Sequence, residues 1–174
     1  MIAGHHTRRQ PWRRCIYPLM GLAALMLMPP GRSAMDPGIG RLERTPRRCI
    51  TSTPARQEHP CRALRLDRKS DHVLRARFIG ITDAKGRTQS ISFVSTDPTT
   101  PLPLTCRQGR CALERTTWHG SVIGVSESQT NALGISEELP KAWPARGQCS
   151  ISLGRIVCSA RLSNGGTIRG DAKF

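Results

Sequence analysis

The chain has 174 residues and carries 27 lysines and arginines against 12 aspartates and glutamates, a formal net charge of +15. This length suits one domain rather than several, and only 4% of the residues are aromatic, so a core must rely on isoleucine, valine and leucine. Because no aromatic residues are interleaved with the cations between Arg47 and Lys69, that segment offers no surface on which nucleic acid bases would stack.

The N-terminus has the pattern of a secretory signal peptide, which we predict to span residues 1–34. The stretch HHTRRQPWRR holds four arginines and no acid, and an apolar run follows from Ile16 to Met28. That run is shorter than the roughly twenty residues that span a bilayer, and this order of regions is typical of an export signal. A buried helix or an N-terminal anchor is the alternative, and the arginine pair fits a twin-arginine signal only in part. We therefore expect the mature protein in the periplasm or outside the cell.

Removal of residues 1–34 leaves six of the seven cysteines, and an even number in an exported chain predicts a disulfide framework. We predict local pairs, because each pair flanks a short hairpin or loop. Directly opposite residues of antiparallel strands have Cα atoms about 4.5–5.5 Å apart, which is within the range of a disulfide. The predicted pairs are Cys49 with Cys61, Cys106 with Cys111, and Cys149 with Cys158.

The hexapeptide CRQGRC at residues 106–111 allows three interpretations. A zinc site needs four cysteine or histidine ligands, usually as two close pairs, but Cys149 and Cys158 are too widely spaced and no histidine lies near them. A redox pair usually has two intervening residues and a thiolate at a helix N-terminus. The spacing instead favours a cross-linked four-residue turn in which Gly109 adopts a positive φ angle. We therefore predict no metal and no cofactor.

The segment 35–72 is basic and contains four prolines, which break any long helix. We predict a mostly irregular lead, held by its own disulfide and mobile over about its first dozen residues. Its cations favour polyanions through counterion release, such as lipid head groups, lipopolysaccharide, acidic glycans or extracellular DNA. An arginine-rich coding bias would give the same composition without a function. The predicted polyanion-binding residues are Arg47, Arg48, Arg62, Arg65, Arg68 and Lys69.

Residues 73–174 are predicted to form an antiparallel β domain. In HVLRARFIGITD, residues of odd number from Val73 share one face and residues of even number, such as Phe78, share the other. The stretch TQSISFVST follows a glycine-containing turn as the second strand. Further hairpins are predicted at CRQGRC, between Cys149 and Cys158, and at Asn164-Gly165, whereas QTNALGISEELPKAWPARG is ambiguous. Short strands at this spacing predict an all-β fold, a small disulfide-stapled antiparallel sandwich or barrel.

The sequence carries no recognisable catalytic motif. No G-x-S-x-G, P-loop, dinucleotide-binding fingerprint or H-E-x-x-H pattern occurs in it. A catalytic triad around His119 has no positional support, and a histidine beside a packing tryptophan is the simpler interpretation. Glu137 and Glu138 are adjacent, so on a strand they would point to opposite faces. We therefore predict no enzymatic activity.

The function predicted from the sequence is a non-enzymatic protein-binding module of the inhibitor, immunity or adaptor type. Rigid cross-linked hairpins present loops at a low ordering cost, and tryptophan and arginine often carry interface energy. The predicted partner is another protein in the envelope or outside the cell, and no intracellular nucleic acid is expected. Packing of the tryptophan in the core is the competing interpretation, and polyanion or envelope binding through the basic lead is the alternative function. The predicted contact residues are Arg107, Arg110, Trp118 and His119.

Overall fold

The computed structural model describes residues 38–81, 85–114 and 117–174. The predicted signal peptide lies outside these residues. Within them the chain forms twelve β-strands and no helix. The strands are β1 (Gly40–Arg44), β2 (Arg48–Thr53), β3 (Arg56–Pro60), β4 (Ala63–Arg68), β5 (Val73–Ile81), β6 (Thr88–Thr96), β7 (Leu104–Arg107), β8 (Gly109–Leu113), β9 (Trp118–Thr130), β10 (Lys141–Ser152), β11 (Arg155–Leu162) and β12 (Thr167–Lys173).

All twelve strands belong to one curled sheet, in the order β3-β2-β12-β11-β10-β9-β6-β5-β4-β1-β8-β7. Neighbouring strands are antiparallel except β1 and β8, which run parallel with Gly40 opposite Gly109. The predicted all-β class is confirmed. The predicted architecture was a sandwich or a barrel. The structure has a single curled sheet that resembles half a barrel.

Alternating burial along β5 defines the two faces of the sheet. Leu74, Ala76 and Phe78 are buried, whereas Arg75 and Arg77 between them are only partly buried. This is the predicted period of two, and it is confirmed. We call the face that carries Phe78 the inner face and the face that carries Arg77 the outer face.

The inner face closes upon itself to form the core. Phe78 contacts Phe93 of β6 edge to face, with ring centroids 5.8 Å apart. Its ring also lies against Gly170 of β12, where an added Cβ would stand 2.6 Å from a ring carbon. Four strands separate β5 from β12 in the sheet, so this contact requires strong curvature. The apolar area removed from water across the curl is the main stabilising contribution.

The described part of the predicted lead is folded into the same sheet. Strands β1 to β4 occupy most of it, and Leu42 and Leu66 are buried on the inner face. The expectation of a mostly irregular lead is therefore wrong for residues 38–72. The prolines do not prevent these strands, because Pro60 ends the edge strand β3 and the other described prolines of the segment lie between strands.

All three predicted disulfides are present. The Cα atoms are 4.9 Å apart in the first pair and 4.0 Å apart in each of the other two. Two pairs join residues that are directly opposite across β7–β8 and β10–β11. Each bridge limits the freedom of the unfolded chain and contributes roughly 2–4 kcal/mol. The bridges are Cys49–Cys61, Cys106–Cys111 and Cys149–Cys158.

The turn inside CRQGRC is tighter than predicted. Arg107 pairs with Arg110, so only Gln108 and Gly109 form the turn, with φ angles of 50° and 77°. Two consecutive positive φ angles define a type I′ turn, whose twist matches that of the flanking strands. The predicted length of four residues is wrong, whereas the predicted cross-linked hairpin and the positive φ of Gly109 are confirmed.

Candidate functional site

The sequence-predicted contact residues do not form one surface. Arg107 and Arg110 are exposed at the β7–β8 turn, and His119 is exposed on β9. Four strands lie between β8 and β9 in the sheet. Trp118 is only 1% exposed, so its ring is not available to a partner in this conformation. The prediction of Trp118 as a contact residue is therefore corrected to a core role.

Trp118 is buried because its neighbour on the same face has no side chain. Its ring covers Gly120, where an added Cβ would lie 2.1 Å from the ring. Across β10, Ile151 is the register partner of Trp118 and Cys149 is the partner of Gly120. The indole Nε1 has no hydrogen-bond partner among the described residues. The ring thus fills space above a disulfide, which the sequence pattern TWHG does not reveal.

Two of the predicted polyanion-binding residues have internal partners. Arg65 donates from Nε and Nη2 to Glu43 at 3.1 and 2.9 Å. Arg68 donates to the Leu104 carbonyl at 2.6 Å and to Asp71 at 2.8 Å. These two side chains are consequently less able to meet an external anion. The remaining predicted residues are exposed, and they are Arg47, Arg48, Arg62 and Lys69.

A cleft of about 580 Å³ lies where β1 meets β4 and β8. Lys69 and Arg110 both line it, so it joins one residue from each of the two predicted binding sets. Arg41 and Arg68 also line it, with Glu43 and Asp67 as the acidic members. We call this feature the β1–β8 cleft. It carries more cations than acids, which favours anionic ligands.

Asp67, which also lines this cleft, is a carboxylate on the outer face that pairs with two arginines. It is only 2% exposed. Arg41 donates to its Oδ1 at 2.7 Å, and Arg75 donates twice to its Oδ2, at 2.9 and 2.7 Å. Burial by itself would raise the pKa of Asp67, but the hydrogen bonds and charges of the two arginines outweigh burial and hold that pKa below its ordinary value. The carboxylate is therefore firmly ionised at neutral pH.

Three exposed aliphatic side chains lie on the connection from β9 to β10, residues 131–140, which we call the β9–β10 loop. Leu133 is 83% exposed, Ile135 is 60% exposed and Leu139 is 91% exposed. Hydrogen bonds nevertheless hold the backbone of this loop. The Asn131 side-chain oxygen accepts from the amides of Leu133 and Ile135, both at 3.0 Å. These exposed aliphatic side chains on an ordered loop make it a candidate interaction surface.

Further contacts tie the end of the β9–β10 loop to the sheet. The amide of Glu137 donates to the Gln129 carbonyl at 3.2 Å, and its carboxylate lies 3.9 Å from Arg87 of the β5–β6 connection. Sequence reasoning missed this loop. The stretch QTNALGISEELPKAWPARG contains several aliphatic residues. Composition alone does not say whether such residues point inward or outward.

No group of three or more potential metal ligands occurs among residues 38–81, 85–114 and 117–174. In the same described part, no helix is long and apolar enough to cross a membrane. The chain matches no protein-family profile, no curated protein and no solved structure.

Proposed function

We propose that this is an exported, non-enzymatic protein-binding module whose contact surface is the β9–β10 loop. The observation that carries the proposal is the exposure of Leu133, Ile135 and Leu139 on a loop whose backbone is ordered by Asn131. Large apolar side chains in water are costly, and burying each against a partner yields about 1.5–3 kcal/mol. A preordered loop also loses little conformational entropy on binding.

The disulfides support the export part of the proposal. Such bonds persist in oxidising compartments and are rare in the reducing cytosol. The three intramolecular pairs are consistent with the periplasm or the extracellular space. A partner would accordingly be an envelope or extracellular protein with an apolar groove, which is the kind of target that inhibitors and adaptors bind.

The test uses two leucines of the loop and a matched leucine elsewhere. The double variant Leu133→Ser with Leu139→Ser removes apolar contact area, whereas Leu153→Ser changes a fully exposed leucine in the β10–β11 turn. Exposed substitutions of this kind alter stability by less than about 0.5 kcal/mol. We expect proteins of the native envelope fraction that bind the wild type to bind the double variant at least about tenfold more weakly.

The control should leave the same affinities unchanged. Equal binding by the wild type, the double variant and the Leu153→Ser protein would contradict the proposal. Equal losses in the double variant and in the control would also contradict it, because they would indicate nonspecific adhesion of exposed leucines.

Polyanion or envelope binding is a second candidate, favoured by the β1–β8 cleft. Lys69 and Arg110 converge on that cleft, and neither has a carboxylate partner among the described residues. Arg47, Arg48 and Arg62 add exposed cations elsewhere in the segment. Such binding is driven by release of counterions and therefore weakens steeply with salt.

The cleft is tested by comparing two double variants of equal charge. Lys69→Gln with Arg110→Gln should lower the slope of log affinity against log salt for heparin by about 2, one unit for each lost contact. Arg146→Gln with Arg161→Gln removes two exposed arginines of the β10–β11 pair and should change the slope much less. Identical slopes for the two variants would rule out the cleft as the binding site.

A further inference from the structure

Arg77 lies in the middle of a polar row that crosses the outer face. In this row Glu43 of β1, Arg65 of β4, Arg77 of β5, Ser92 of β6 and Ser126 of β9 are successive register partners. Directly paired residues project from the same face of a sheet. The row therefore places two arginines side by side, followed by two hydroxyl groups.

Arg77 differs from its neighbours because it has no carboxylate partner among the described residues. Arg65 is bonded to Glu43, and Arg75 is bonded to Asp67. The Nε of Arg77 donates to the Ser92 hydroxyl at 3.2 Å, which places the guanidinium over β6. Its Nη1 and Nη2 atoms are left without a protein acceptor within the described part of the chain.

The surroundings of Arg77 make an uncompensated cation unfavourable. Burial lowers the pKa of Arg77, the charges of Arg75 and Arg65 lower it further, and the charge of Asp67 offsets only part of this. Like charges placed directly opposite each other across two strands are destabilising. Because Coulomb interactions strengthen as water is removed, an anion placed beside this half-buried group would be held more firmly than one beside a fully exposed arginine.

The free donors suit a tetrahedral oxyanion. A guanidinium presents its N–H groups as a planar fork that matches two oxygens of a phosphate or sulfate. Ser92 is only 3% exposed, and its oxygen accepts from Arg77, so it orients the guanidinium. Ser126 is the register partner of Ser92 one strand further and is only partly buried. Because strands are about 4.8 Å apart, an anion beside the guanidinium would lie close to the Ser126 hydroxyl.

We propose that Arg77, oriented by Ser92, and Ser126 form a binding site for a sulfate or phosphate group on the outer face of β5, β6 and β9. None of these three residues lines the β1–β8 cleft or belongs to the β9–β10 loop. The site is independent of the proposed protein-binding function. The same chemistry is carried by a free inorganic ion and by the phosphate of a lipid head group.

Titration calorimetry with inorganic sulfate and inorganic phosphate tests the site, with chloride present at constant ionic strength. The wild type should bind at least one of the two ions. Arg77→Gln should weaken that binding at least about tenfold, because a charged hydrogen-bond donor is lost. Arg161→Gln, which removes an exposed arginine from β11, should change the affinity by less than about twofold. Ser126→Ala keeps every charge and should weaken binding about threefold or more.

Vesicles of phosphatidylglycerol distinguish the two sources of the anion. If Arg77→Gln weakens vesicle binding more than Arg161→Gln does, the site accepts a lipid phosphate; if only the inorganic titrations change, it accepts the free ion. The proposal is overturned if the wild type binds neither ion nor vesicles. It is also overturned if Arg77→Gln and Arg161→Gln behave alike in every titration, or if Ser126→Ala binds as the wild type does.

Discussion

At the scale of single residues, Asp67 shows how a buried carboxylate pairs with arginines of this basic sheet. The carboxylate is buried but accepts hydrogen bonds from Arg41 and Arg75, which flank it on β1 and β5. Removing one member of a buried ion pair is far more destabilising than losing an exposed pair, because the remaining charges lose their compensation. Arg41 and Arg75 therefore contribute to the stability of the fold.

Asp67→Asn should destabilise the protein by about 2–4 kcal/mol, since two partly exposed arginines lose one shared carboxylate. Glu43→Gln, which affects a more exposed pair with Arg65, should cost less than about 1 kcal/mol. Urea unfolding monitored by tryptophan fluorescence measures both values. Similar losses in the two variants would contradict the central role of Asp67.

The stability of the protein should fall at acidic pH for the same reason. The pKa of Asp67 in the folded state lies below its ordinary value of 3.8, and the hydrogen bond and charge of Arg155 also lower the pKa of Asp171. Their contribution is thus complete above pH 3.8 and is lost as the pH falls through the folded-state pKa values. We expect a nearly constant free energy of unfolding between about pH 7 and 5 and a steep decline below about pH 4. Asp67→Asn should flatten that decline, and an unchanged decline would contradict this assignment.

At the scale of elements, disulfides cross-link two of the hairpins of the sheet. The bridge Cys149–Cys158 is fully buried in the β10–β11 hairpin, whereas Cys106–Cys111 lies in the terminal β7–β8 hairpin of the sheet. The first closes a longer stretch of chain than the second, with sequence separations of 9 and 5. A longer closed loop and a deeper position both increase the loss on removal.

Replacing both cysteines of a pair by alanine should therefore affect the two hairpins unequally. We expect Cys149→Ala with Cys158→Ala to cost about 3–5 kcal/mol and Cys106→Ala with Cys111→Ala to cost about 1–3 kcal/mol. Urea titrations of the two double variants at one pH give the comparison. The opposite order would show that the edge hairpin, not the central one, limits stability.

The elements that could be predicted from sequence are those whose partners are close in the chain. Local patterns indicate which residues of β5 and β6 share a face, and they also indicate the three cysteine pairs. The strand β1 could not be predicted, because it buries little besides Leu42 and its partners β4 and β8 lie far along the chain. A strand so short and so charged has no visible period, and its pairing depends on long-range contacts.

The candidate site was predictable only in its charged part. Lys69 follows from the basic charge of the lead, and Arg110 from its place in a cross-linked hairpin, but their meeting in one cleft depends on the parallel pairing of β1 with β8. Trp118 was misassigned because its burial depends on Gly120 and on the strand opposite. The aliphatic residues of the β9–β10 loop were missed because hydrophobic residues ordinarily indicate a core.

At the scale of the whole molecule, the curl of the sheet is what creates a core from a chain with few aromatic residues. The contact between Phe78 and Gly170 joins strands that are far apart in the sheet. Only a residue without a side chain allows the ring to approach the backbone of β12 so closely. Curvature, core packing and the register of β12 are therefore linked at this position.

Gly170→Ala should destabilise the protein by about 1–3 kcal/mol, because the new methyl group displaces the Phe78 ring from a packed core. Gly124→Ala is the matched control on β9, since the nearest atom to its added Cβ is the Trp143 carbonyl oxygen at an ordinary 3.7 Å. Thermal unfolding should show a clear loss for the first variant and little change for the second. Equal melting temperatures would contradict the described curl.

Site-specific photocrosslinking in the native host tests the proposed role of the β9–β10 loop as a protein-binding surface. A photoreactive amino acid at position 139 should give a discrete adduct with another protein, whereas the same group at position 153, a fully exposed leucine in a different turn, should give none. The adduct should disappear when Leu133→Ser is added. No adduct from position 139, or the same adducts from both positions, would contradict the account.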